Sequence, residues 1–411
     1  MDMKSNSYKY INNEVSSMIN VIGLGYIGLP TTLMLASHGV KVVGTDYNKE
    51  LVATLNSGHT TFEEKGLDEL FKSAVDAGVK FSTEYQVTDT YIVSVPTPYD
   101  KVTKKVDACY VVAAVKSVLE VCKDNATIVV ESTVSPGTMD KFVRPVVAES
   151  GKKINLVHAP ERIIPGNMVY ELLHNSRTIG ADDKEIGEKI KNIYASFCQG
   201  DIVVTDIKTA EMTKVVENTY RAVNIAFANE LAKICHSDGM DVYEIIKICN
   251  MHPRVNILQP GPGVGGHCIP IDPWFLVGDY PDLTKVINEA MKVNESMPKF
   301  VIERTKELMA ESGITDGGKV GLYGLTYKED VDDVRESPSL QLIEALIGDE
   351  KAVKAYDPFV KKELVPNQYY DFDEFLESVD LVVIMTGHSE IKIKQANLKG
   401  KLIYDTRKCI K

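Results

Sequence analysis

The residue with the clearest chemical potential is Cys268, which stands among glycines and prolines in QPGPGVGGHCIPIDPW, residues 259–274. Five prolines and four glycines between Pro253 and Pro273 exclude a helix and disfavour a long strand, so the segment is predicted to be a loop. Irregular loops of this length are uncommon in compact proteins and are often functional. The thiol is therefore a candidate nucleophile, although a free cysteine is most often a small buried core residue.

Several neighbours of Cys268 could assist it. Asp272 could orient or deprotonate a water molecule, or it could cap the turn before Pro273, and the two roles are compatible. His267 is adjacent, but side chains of adjacent residues in extended backbone point to opposite sides, so it is not assigned as the base. The nearby glycines, Gly265 among them, would let the backbone approach a substrate closely.

A second motif lies near the N-terminus, in INVIGLGYIGLPTTLMLASHGVKVVGTD, residues 19–46. An apolar strand is followed by G-x-G-x-x-G at Gly23, Gly25 and Gly28, then by an apolar helix, a second strand and Asp46. The first glycine permits a tight turn, the second lets the backbone approach a pyrophosphate, and the third allows close helix–strand packing. A carboxylate at Asp46 would bind a ribose and repel a 2'-phosphate, so the motif predicts NAD rather than NADP.

A nicotinamide cofactor and a nucleophilic cysteine together indicate a particular chemistry. Oxidising an alcohol needs only an acid or base, whereas a thiolate can add to the aldehyde product, lose a second hydride as a thiohemiacetal and form a thioester that water hydrolyses. Lys214 and Asn218 share one face of a predicted helix and would stabilise the oxyanion, at roughly 3 kcal/mol per donor. The alternative is a solvated polar stripe, which is disfavoured because Met212, Val215 and Val216 surround it.

The composition restricts the class of protein. The 411 residues suggest two or three domains, and no apolar run approaches the roughly 20 residues that span a bilayer. A formal net charge of -12 disfavours nucleic acid as a partner. Seven cysteines without a C-x-x-C pair argue against disulfides and against a metal site, so a reducing, cytoplasmic location is expected. Residues 1–17 are polar, lack a secretory signal and are expected to dock weakly.

The remaining sequence supplies the elements that would position these residues. Strands are predicted in TYIVSVPTP and ATIVVESTVSPG, and ligands bind at the carboxyl ends of such parallel strands. A long helix from Asp206 to Cys235 is apolar on most faces and is expected to be buried between domains or subunits. GKVGLYGLTYK, AVKAYDP (ending near Asp357), DLVVIMTG and KLIYDTRK repeat the strand pattern. Lys328 and Arg407 would there hold an anionic ligand or lie in solvent.

The order of these motifs resembles a known family, the NAD-dependent UDP-sugar 6-dehydrogenases, also called the UDP-glucose/GDP-mannose dehydrogenase family. The resemblance runs from about Ile19 to the C-terminus through VIGLGYIGLP, VPTP, ESTVSPGT, APERIIPGN, EMTKVVENTYRAVNIAFANELA, HPRVNILQPGPGVGGHCIPIDPWF and YGLTYKEDVDDVRESPS. This combination is far more specific than any one of its motifs.

The resemblance implies roles for individual residues. The catalytic set would comprise the nucleophile Cys268, the oxyanion donors Lys214 and Asn218, and, around the water and the proton transfers, Thr133, Glu161 and Asp272. NAD would contact Gly23, Gly25, Tyr26, Ile27, Gly28, Asp46, Thr97, Thr133 and Arg335. The UDP-sugar would contact Glu161, Arg162, Lys214, Asn218, Arg254, Gly265, Tyr327, Lys328 and Arg407. Arg254 would reach across from a second subunit, because such enzymes form homodimers, or dimers of dimers, through the middle helix.

The expected fold is α/β, with two doubly wound Rossmann-like domains joined by a long central helix and a helical middle region. An NAD-binding domain is expected at residues 18–205. A central helical dimerisation region that includes the cysteine loop is expected at 206–300, and a UDP-sugar-binding domain at 301–411.

Within the family, HAPERIIPGN and HPRVNILQPGPGVGGHC look most like the members that oxidise UDP-N-acetyl-D-mannosamine at carbon 6, for a surface polysaccharide or glycan. Enzymes acting on UDP-glucose carry a second glutamate four residues after the one matching Glu161, and this chain has Pro165 there. Arg162 is a candidate contact for the sugar or its N-acetyl group. The alternatives are UDP-N-acetylglucosamine or UDP-glucose as substrate, a single-step dehydrogenase in which Cys268 only packs, and a non-catalytic nucleotide-sugar sensor.

Overall fold

The computed structural model describes residues 18–346 and 353–410, so the prediction of a weakly docked N-terminus at residues 1–17 lies outside the described residues. The chain divides between Val216 and Glu217 into two compact units. Each unit contains one β-sheet with α-helices, and each is described by itself.

The first unit is built on an eight-stranded sheet. Its strands are β1 (Ile19–Ile22), β2 (Val42–Thr45), β3 (Lys80–Ser82), β4 (Thr90–Val93), β5 (Thr127–Val130), β6 (Asn155–His158), β7 (Arg177–Ala181) and β8 (Ile202–Thr205). The spatial order is β3-β2-β1-β4-β5-β6-β7-β8, with all neighbours parallel except β6 and β7. The first six strands therefore have the order of a Rossmann dinucleotide-binding fold.

Helices cover this sheet because both of its faces are apolar. They are α1 (Gly28–Ser37), α2 (Lys49–Asn56), α3 (Leu67–Asp76), α4 (Cys109–Val121), α5 (Arg144–Glu149), α6 (Met168–His174) and α7 (Lys184–Tyr194), with a π-helical turn at Met139–Val143. Successive residues of β1 point to opposite faces, so Val21 lies in the core that contains α1 and Ile22 in the core that contains α4. Nine of the ten residues of α1 are buried, which explains its almost uniformly apolar sequence.

Helix α8 (Ile207–Ser237) is 31 residues long and begins in the last residues of the first unit. Its bounds lie within two residues of the predicted helix. Val216, Tyr220, Phe227 and Ile234 on this helix are 46 to 69% exposed. Their spacing of four and seven residues places them on one stripe, so α8 carries one exposed apolar face.

The second unit contains a smaller parallel sheet. Its strands are β9 (Val320–Tyr323), β10 (Lys354–Tyr356), β11 (Gln368–Tyr369), β12 (Leu381–Ile384) and β13 (Leu402–Asp405). Its further helices are α9 (Val242–Cys249), α10 (Asp272–Asp279), α11 (Lys285–Glu295), α12 (Met297–Glu311), α13 (Pro338–Ala345), α14 (Phe372–Ser378) and α15 (Ser389–Ile393). The strand order β11-β10-β9-β12-β13 is that of a doubly wound sheet, in which β9 lies between the two halves.

The predicted fold class is confirmed by the two doubly wound sheets and by α8. The cysteine segment is irregular as predicted, but it ends at Asp272, where α10 begins with Pro273 in its first turn. Proline is tolerated there because the first N–H groups of a helix need no partner within it. The boundaries at residues 18–205, 206–300 and 301–411 stay predictions. Within the described ranges, every helix is too short or too polar to span a membrane.

Candidate active site

The turn between β1 and α1 requires glycine at two positions and is open at a third. Gly23 has a φ of +88°, and a Cβ atom there would lie 2.2 Å from the Ser94 carbonyl oxygen. A Cβ atom at Gly28 would lie 1.8 Å from the Gly23 carbonyl oxygen. Among the described residues other than its two chain neighbours, no atom lies within 4 Å of a Cβ atom built at Gly25. Space therefore remains where a pyrophosphate approaches the backbone in such folds.

Helix α1 begins beside this open position. Over the described part of the chain, no side chain caps the helix at Ile27, and its first turn contains no acidic residue. The partial positive charge of the helix N-terminus is therefore not neutralised by a neighbouring carboxylate in that turn. Tyr26 is 41% exposed, and its ring centroid lies 4.5 Å from that of Phe62.

Asp46 follows β2 and is fixed against the glycine turn. One carboxylate oxygen accepts the Leu24 N–H at 2.8 Å, and the other accepts the Asn48 N–H at 2.9 Å. The side chain is half-buried, so its charge can still reach a ligand. The open glycine, the uncapped helix and this carboxylate together fit the pyrophosphate and ribose of NAD.

Thr97 and Thr133 lie just beyond the carboxyl ends of the adjacent strands β4 and β5. Thr97 is buried and Thr133 is half-buried. Ser132 joins the two segments, because its hydroxyl accepts the Val95 N–H at 2.9 Å and donates to the Val95 carbonyl oxygen at 2.7 Å. Both threonines are thus placed at the sheet edge where ligands bind in parallel α/β folds.

Glu161 and Arg162 follow β6, and other groups of the first unit hold both side chains. Glu161 is buried, with one oxygen accepting the Arg162 N–H at 2.7 Å and the other paired with the Arg177 guanidinium. The Arg162 guanidinium donates to the Ser176 carbonyl oxygen at 2.7 Å and to the Thr178 hydroxyl at 2.9 Å. These contacts fix both side chains against β7.

Two further charged residues of this region, Arg177 and Glu131, were not predicted from the sequence. Glu131 follows β5 and lies 3.7 Å from Arg177, measured from its Oε1 to Nη1. The available signal was a charged residue at the end of a strand that is otherwise apolar. It was overlooked because the partner of Glu131 lies 46 residues later in the sequence.

The glycines before Cys268 allow the loop to lie directly on other parts of the second unit. A Cβ atom at Gly265 would lie 2.4 Å from the Tyr327 Cβ atom and 2.8 Å from the Glu336 carbonyl oxygen. Gly266 has a φ of +89° and donates its N–H to the Arg335 carbonyl oxygen at 2.8 Å. The predicted contacts Gly265 and Tyr327 are therefore neighbours.

Cys268 lies one helical turn before Asp272, at the start of α10. Its side chain is half-buried, and its carbonyl oxygen accepts the Asp272 N–H at 2.8 Å. The Asp272 carboxylate accepts the Asn218 Nδ2–H at 2.6 Å, and both side chains are buried. The structure thus brings together Asn218, Asp272 and the turn that carries Cys268, and their assignment to one catalytic site stays a prediction.

Lys214 precedes Asn218 by one turn of α8 and is buried, with 6% of its surface exposed. The expectation that apolar neighbours surround it holds for Val215, which is fully buried. Met212 is half-buried, and Val216 is 46% exposed in the single chain, where it belongs to the outward apolar stripe of α8.

The remaining predicted residues of the second unit have different environments. The Arg335 guanidinium binds both oxygens of Asp333, with Nε to Oδ1 at 2.9 Å and Nη2 to Oδ2 at 2.6 Å. Arg407 follows β13, and its Nη1 would lie 2.8 Å from a Cβ atom at Gly261. Lys328 is half-buried, and its carbonyl oxygen accepts the Thr326 hydroxyl at 3.0 Å. Arg254 is exposed.

A buried pair that the sequence analysis missed lies behind the β9 turn. Asp357 accepts the Leu325 and Thr326 N–H groups at 2.6 and 3.0 Å, and its Oδ2 lies 3.1 Å from His388 Nε2. Both side chains are 0% exposed. Burial favours a raised pKa for Asp357, but the His388 hydrogen bond and charge and the N–H groups at Thr326 and Phe359 lower it below the ordinary value. Asp357 had been interpreted only as the end of a strand.

Comparison with protein families gives three matches in consecutive parts of the chain. The NAD binding domain of the UDP-glucose/GDP-mannose dehydrogenase family matches residues 17–198. The central domain of that family matches residues 208–296, and its UDP binding domain matches residues 321–411.

Individual proteins of that family are similar over nearly the whole chain. A UDP-N-acetyl-D-mannosamine dehydrogenase of Methanocaldococcus jannaschii is 43% identical, covering 97% of this chain and 94% of its own. The solved UDP-N-acetyl-mannosamine dehydrogenase of Staphylococcus aureus is 42% identical with a TM-score of 0.86, covering 96% of this chain and 95% of its own. A solved UDP-D-ManNAc dehydrogenase of Pyrococcus horikoshii is 36% identical with a TM-score of 0.89, covering 96% of both chains.

Proposed function

The chain belongs to the UDP-glucose/GDP-mannose dehydrogenase family, and from this premise we propose that it oxidises UDP-N-acetyl-D-mannosamine at carbon 6 to the uronate. The reaction consumes two NAD and one water and keeps the aldehyde bound between its two oxidation steps. The substrate assignment is supported by relatives of that activity at 36 to 43% identity over nearly the full chain. The hydrogen bond from Asn218 to Asp272, one turn from Cys268, carries the proposal of a four-electron oxidation.

NAD, when bound, is the hydride acceptor in both oxidation steps. The open position at Gly25 and the N-terminus of α1 would hold its pyrophosphate, and Asp46 would bind the adenosine ribose. Tyr26, Ile27, Thr97, Thr133 and Arg335 complete the proposed contacts. The negative charge of Asp46 is the reason to expect NAD rather than NADP.

Cys268 is the proposed nucleophile. Its thiolate sulfur forms a bond to the aldehyde carbon, and the carbonyl oxygen becomes an alkoxide. Loss of hydride from that carbon leaves a thioester. Water then attacks the thioester carbon, the carbon–sulfur bond breaks, and the products are a carboxylate and the free thiolate.

Lys214 and Asn218 would stabilise the alkoxide that forms on this path. The Asp272 carboxylate can only accept hydrogen bonds, so it fixes the Asn218 amide with the nitrogen, not the oxygen, facing Asp272. The amide nitrogen carries a second hydrogen, which can point at an oxyanion. A preorganised donor of this kind contributes roughly 3 kcal/mol to the transition state.

Glu161, Thr133 and Asp272 are proposed to orient the attacking water molecule and to take part in the proton transfers. Glu161 is held by a guanidinium and a backbone N–H, an environment suited to a carboxylate that must keep a fixed orientation. Arg162, Gly265, Tyr327, Lys328 and Arg407 are proposed to bind the UDP-sugar, with Arg162 near the N-acetyl group.

We also propose that the protein is a homodimer, or a dimer of dimers, that assembles through the exposed apolar stripe of α8. An exposed face with Tyr220 and Phe227 at its centre is typical of a contact surface. Arg254 is exposed in the single chain, as expected if it reaches the substrate of a neighbouring subunit. The mass in solution tests this, and a monomer would contradict it.

The activity is tested by measuring NADH formed per mole of nucleotide sugar consumed, with UDP-N-acetylmannosamine, UDP-N-acetylglucosamine and UDP-glucose in parallel. Two NADH with the first sugar alone are expected. Two NADH with another sugar would keep the mechanism and change the substrate. One NADH with free aldehyde would exclude the role of Cys268, and absence of turnover with all three would favour a sensor.

Cys268→Ser is expected to slow acid formation by at least ~10³-fold, because a hydroxyl is a much weaker nucleophile than a thiolate. NAD affinity should not change. Cys249→Ser is the matched control, since Cys249 is also a half-buried cysteine of the second unit and should leave turnover unaffected. Undiminished turnover of Cys268→Ser would remove this thiol from the mechanism.

A further inference from the structure

A buried cation of the first unit contacts Glu161 but takes part in no bond-making step proposed above. Arg177, the first residue of β7, is 4% exposed, and its guanidinium carbon lies 4.4 Å from the Tyr194 ring centroid and 5.2 Å from that of Phe197. Its Nη2 is paired with Glu161 Oε2, and its Nη1 lies 3.7 Å from Glu131 Oε1. Arg177 thus links the carboxylates that follow β5 and β6.

Glu131 is enclosed on all sides by the first unit. Its side chain is 0% exposed, Oε1 accepts the Tyr194 hydroxyl at 3.1 Å, and Oε2 accepts the Thr31 hydroxyl at 3.2 Å. The register of the sheet places His158 beside Val130, the residue before Glu131. The titratable and polar groups around the pair of Glu131 and Arg177 are one carboxylate, two hydroxyls, one imidazole and one thiol: Glu161, Tyr194, Thr31, His158 and Cys198.

This cluster contains two carboxylates and one cation. Burial, the largest influence, raises the pKa of Glu131 to about 7, while the charge of Arg177 opposes the increase and that of Glu161 adds to it. Burial lowers the pKa of His158 to about 4, so this imidazole is neutral near pH 7 and does not balance the excess negative charge. We therefore expect Glu131 to titrate close to neutral pH.

We propose that Arg177 is a positioning residue for Glu161, and that the charge on Glu131 sets how strongly Arg177 holds the Glu161 carboxylate. This inference rests on the role proposed above for Glu161 in water and proton transfer. The only chemical change it involves is the movement of one proton between Glu131 and solvent.

The two charge states of Glu131 affect Glu161 differently. When Glu131 is neutral, Glu161 alone pairs with the Arg177 guanidinium and is held tightly by it. When Glu131 is ionised, it competes for the same guanidinium, so Arg177 holds the Glu161 carboxylate less tightly. A step in which Glu161 accepts a proton should therefore become faster as Glu131 ionises.

The test compares the wild type with Glu131→Gln, which keeps the shape and can still accept the Tyr194 hydroxyl but cannot ionise. In the wild type, kcat for acid formation is expected to rise roughly threefold through a titration near pH 7, in line with a modest gain in base strength. The variant should match the wild type at pH 6 and lack the rise. If its pH profile and that of the wild type coincide, the proposal is wrong.

Tyr194→Phe separates this role from a merely structural one. The Tyr194 hydroxyl lowers the pKa of Glu131, so its removal should move the titration of kcat to higher pH. A structural role predicts a less stable protein with the titration unmoved, and that result would also overturn the proposal.

An infrared titration of the protein without substrate keeps the inference distinct from the proposed function. The carbonyl band of a protonated carboxylic acid should disappear near pH 7 in the wild type. Glu131→Gln should lack that part of the band, whereas the part from Glu211, whose pKa is also raised to about 7, should remain. Absence of the Glu131 band would overturn this inference alone, and absence of wild-type turnover would overturn the proposed function alone.

Discussion

After β1 and after β9 the chain turns at a glycine with positive φ, +88° at Gly23 and +96° at Gly324. In both turns the N–H of the next residue binds an aspartate that follows the neighbouring strand. Leu24 donates to Asp46 at 2.8 Å, and Leu325 donates to Asp357 at 2.6 Å. The two sheets therefore share the turn that begins a dinucleotide-binding fold.

The two turns differ in the length of chain between the glycine and the next helix, and in the exposure of the aspartate. Helix α1 begins at Gly28, five residues after Gly23, whereas α13 begins at Pro338, fourteen residues after Gly324. Asp46 is half-buried and can reach a ligand, but Asp357 is buried against His388. The protein's own imidazole thus binds the aspartate that meets a ribose in a dinucleotide site, and the long connection contains Tyr327 and Lys328, the proposed contacts of the UDP-sugar. We therefore expect the two related turns to serve different ligands, because only the first turn stays open.

The largest expected effect comes from removing Asp357, the aspartate that is buried against His388. Asp357→Ala should lower the free energy of unfolding by about 3–5 kcal/mol, because it leaves buried N–H groups and His388 without their acceptor. Asp46→Ala should cost only about 1 kcal/mol of stability but weaken NAD binding roughly tenfold. Urea unfolding followed by circular dichroism reports on both units, and the fluorescence of Trp274, the single tryptophan, reports on the second unit. Equal stability of the two variants would contradict the comparison.

The two units should also differ in how their buried carboxylates respond to pH. Glu211 accepts the Gly137 and Met139 N–H groups at 2.6 and 2.8 Å, and burial raises its pKa from 4.5 to about 7. A raised folded pKa means that the folded state binds the proton more tightly, so stability is lost as pH rises from about 4.5 to 7. Asp357 has a lowered pKa, so its contribution is present above pH 3.8 and is lost as pH falls below that value.

In the wild type, ionisation of Glu211 should lower the free energy of unfolding by up to roughly 3 kcal/mol between pH 5 and pH 8. Glu211→Gln should remove this decrease. The measurement is the apparent free energy of unfolding at several pH values, followed by circular dichroism. The two proteins are compared by the slope of the free energy of unfolding against pH. Its absolute value is not compared, because the amide itself changes the hydrogen bonds to Gly137 and Met139. A slope equal to that of the wild type would show that Glu211 is ionised throughout.

The sequence predicted features that depend on neighbouring residues and missed those that depend on distant ones. The glycine turn, α8 and eight of the strands follow from local patterns, so their places were correct; these strands are β1, β2, β4, β5, β9, β10, β12 and β13. Glu131 and Arg177 are 46 residues apart, and Asp357 and His388 are 31 residues apart, so no local pattern joins them. The exposure of Val216 was also out of reach, because the periodicity of an almost wholly apolar helix does not show which face is left uncovered.

The smallest expected effect distinguishes the two roles of glycine within the first turn. Gly28→Ala should destabilise the first unit by about 1–3 kcal/mol, because its Cβ atom would lie 1.8 Å from the Gly23 carbonyl oxygen and the backbone would have to move. Gly25→Ala should leave stability nearly unchanged, since the structure places no described atom beyond the two adjacent residues within 4 Å of the new methyl group. It should still weaken NAD binding roughly tenfold by occupying the space of the pyrophosphate, measured by calorimetric titration. Unchanged NAD affinity of a folded Gly25→Ala variant would mean that the open position is not where the cofactor meets the chain, and the distinction between the two turns would then rest on Asp46 alone.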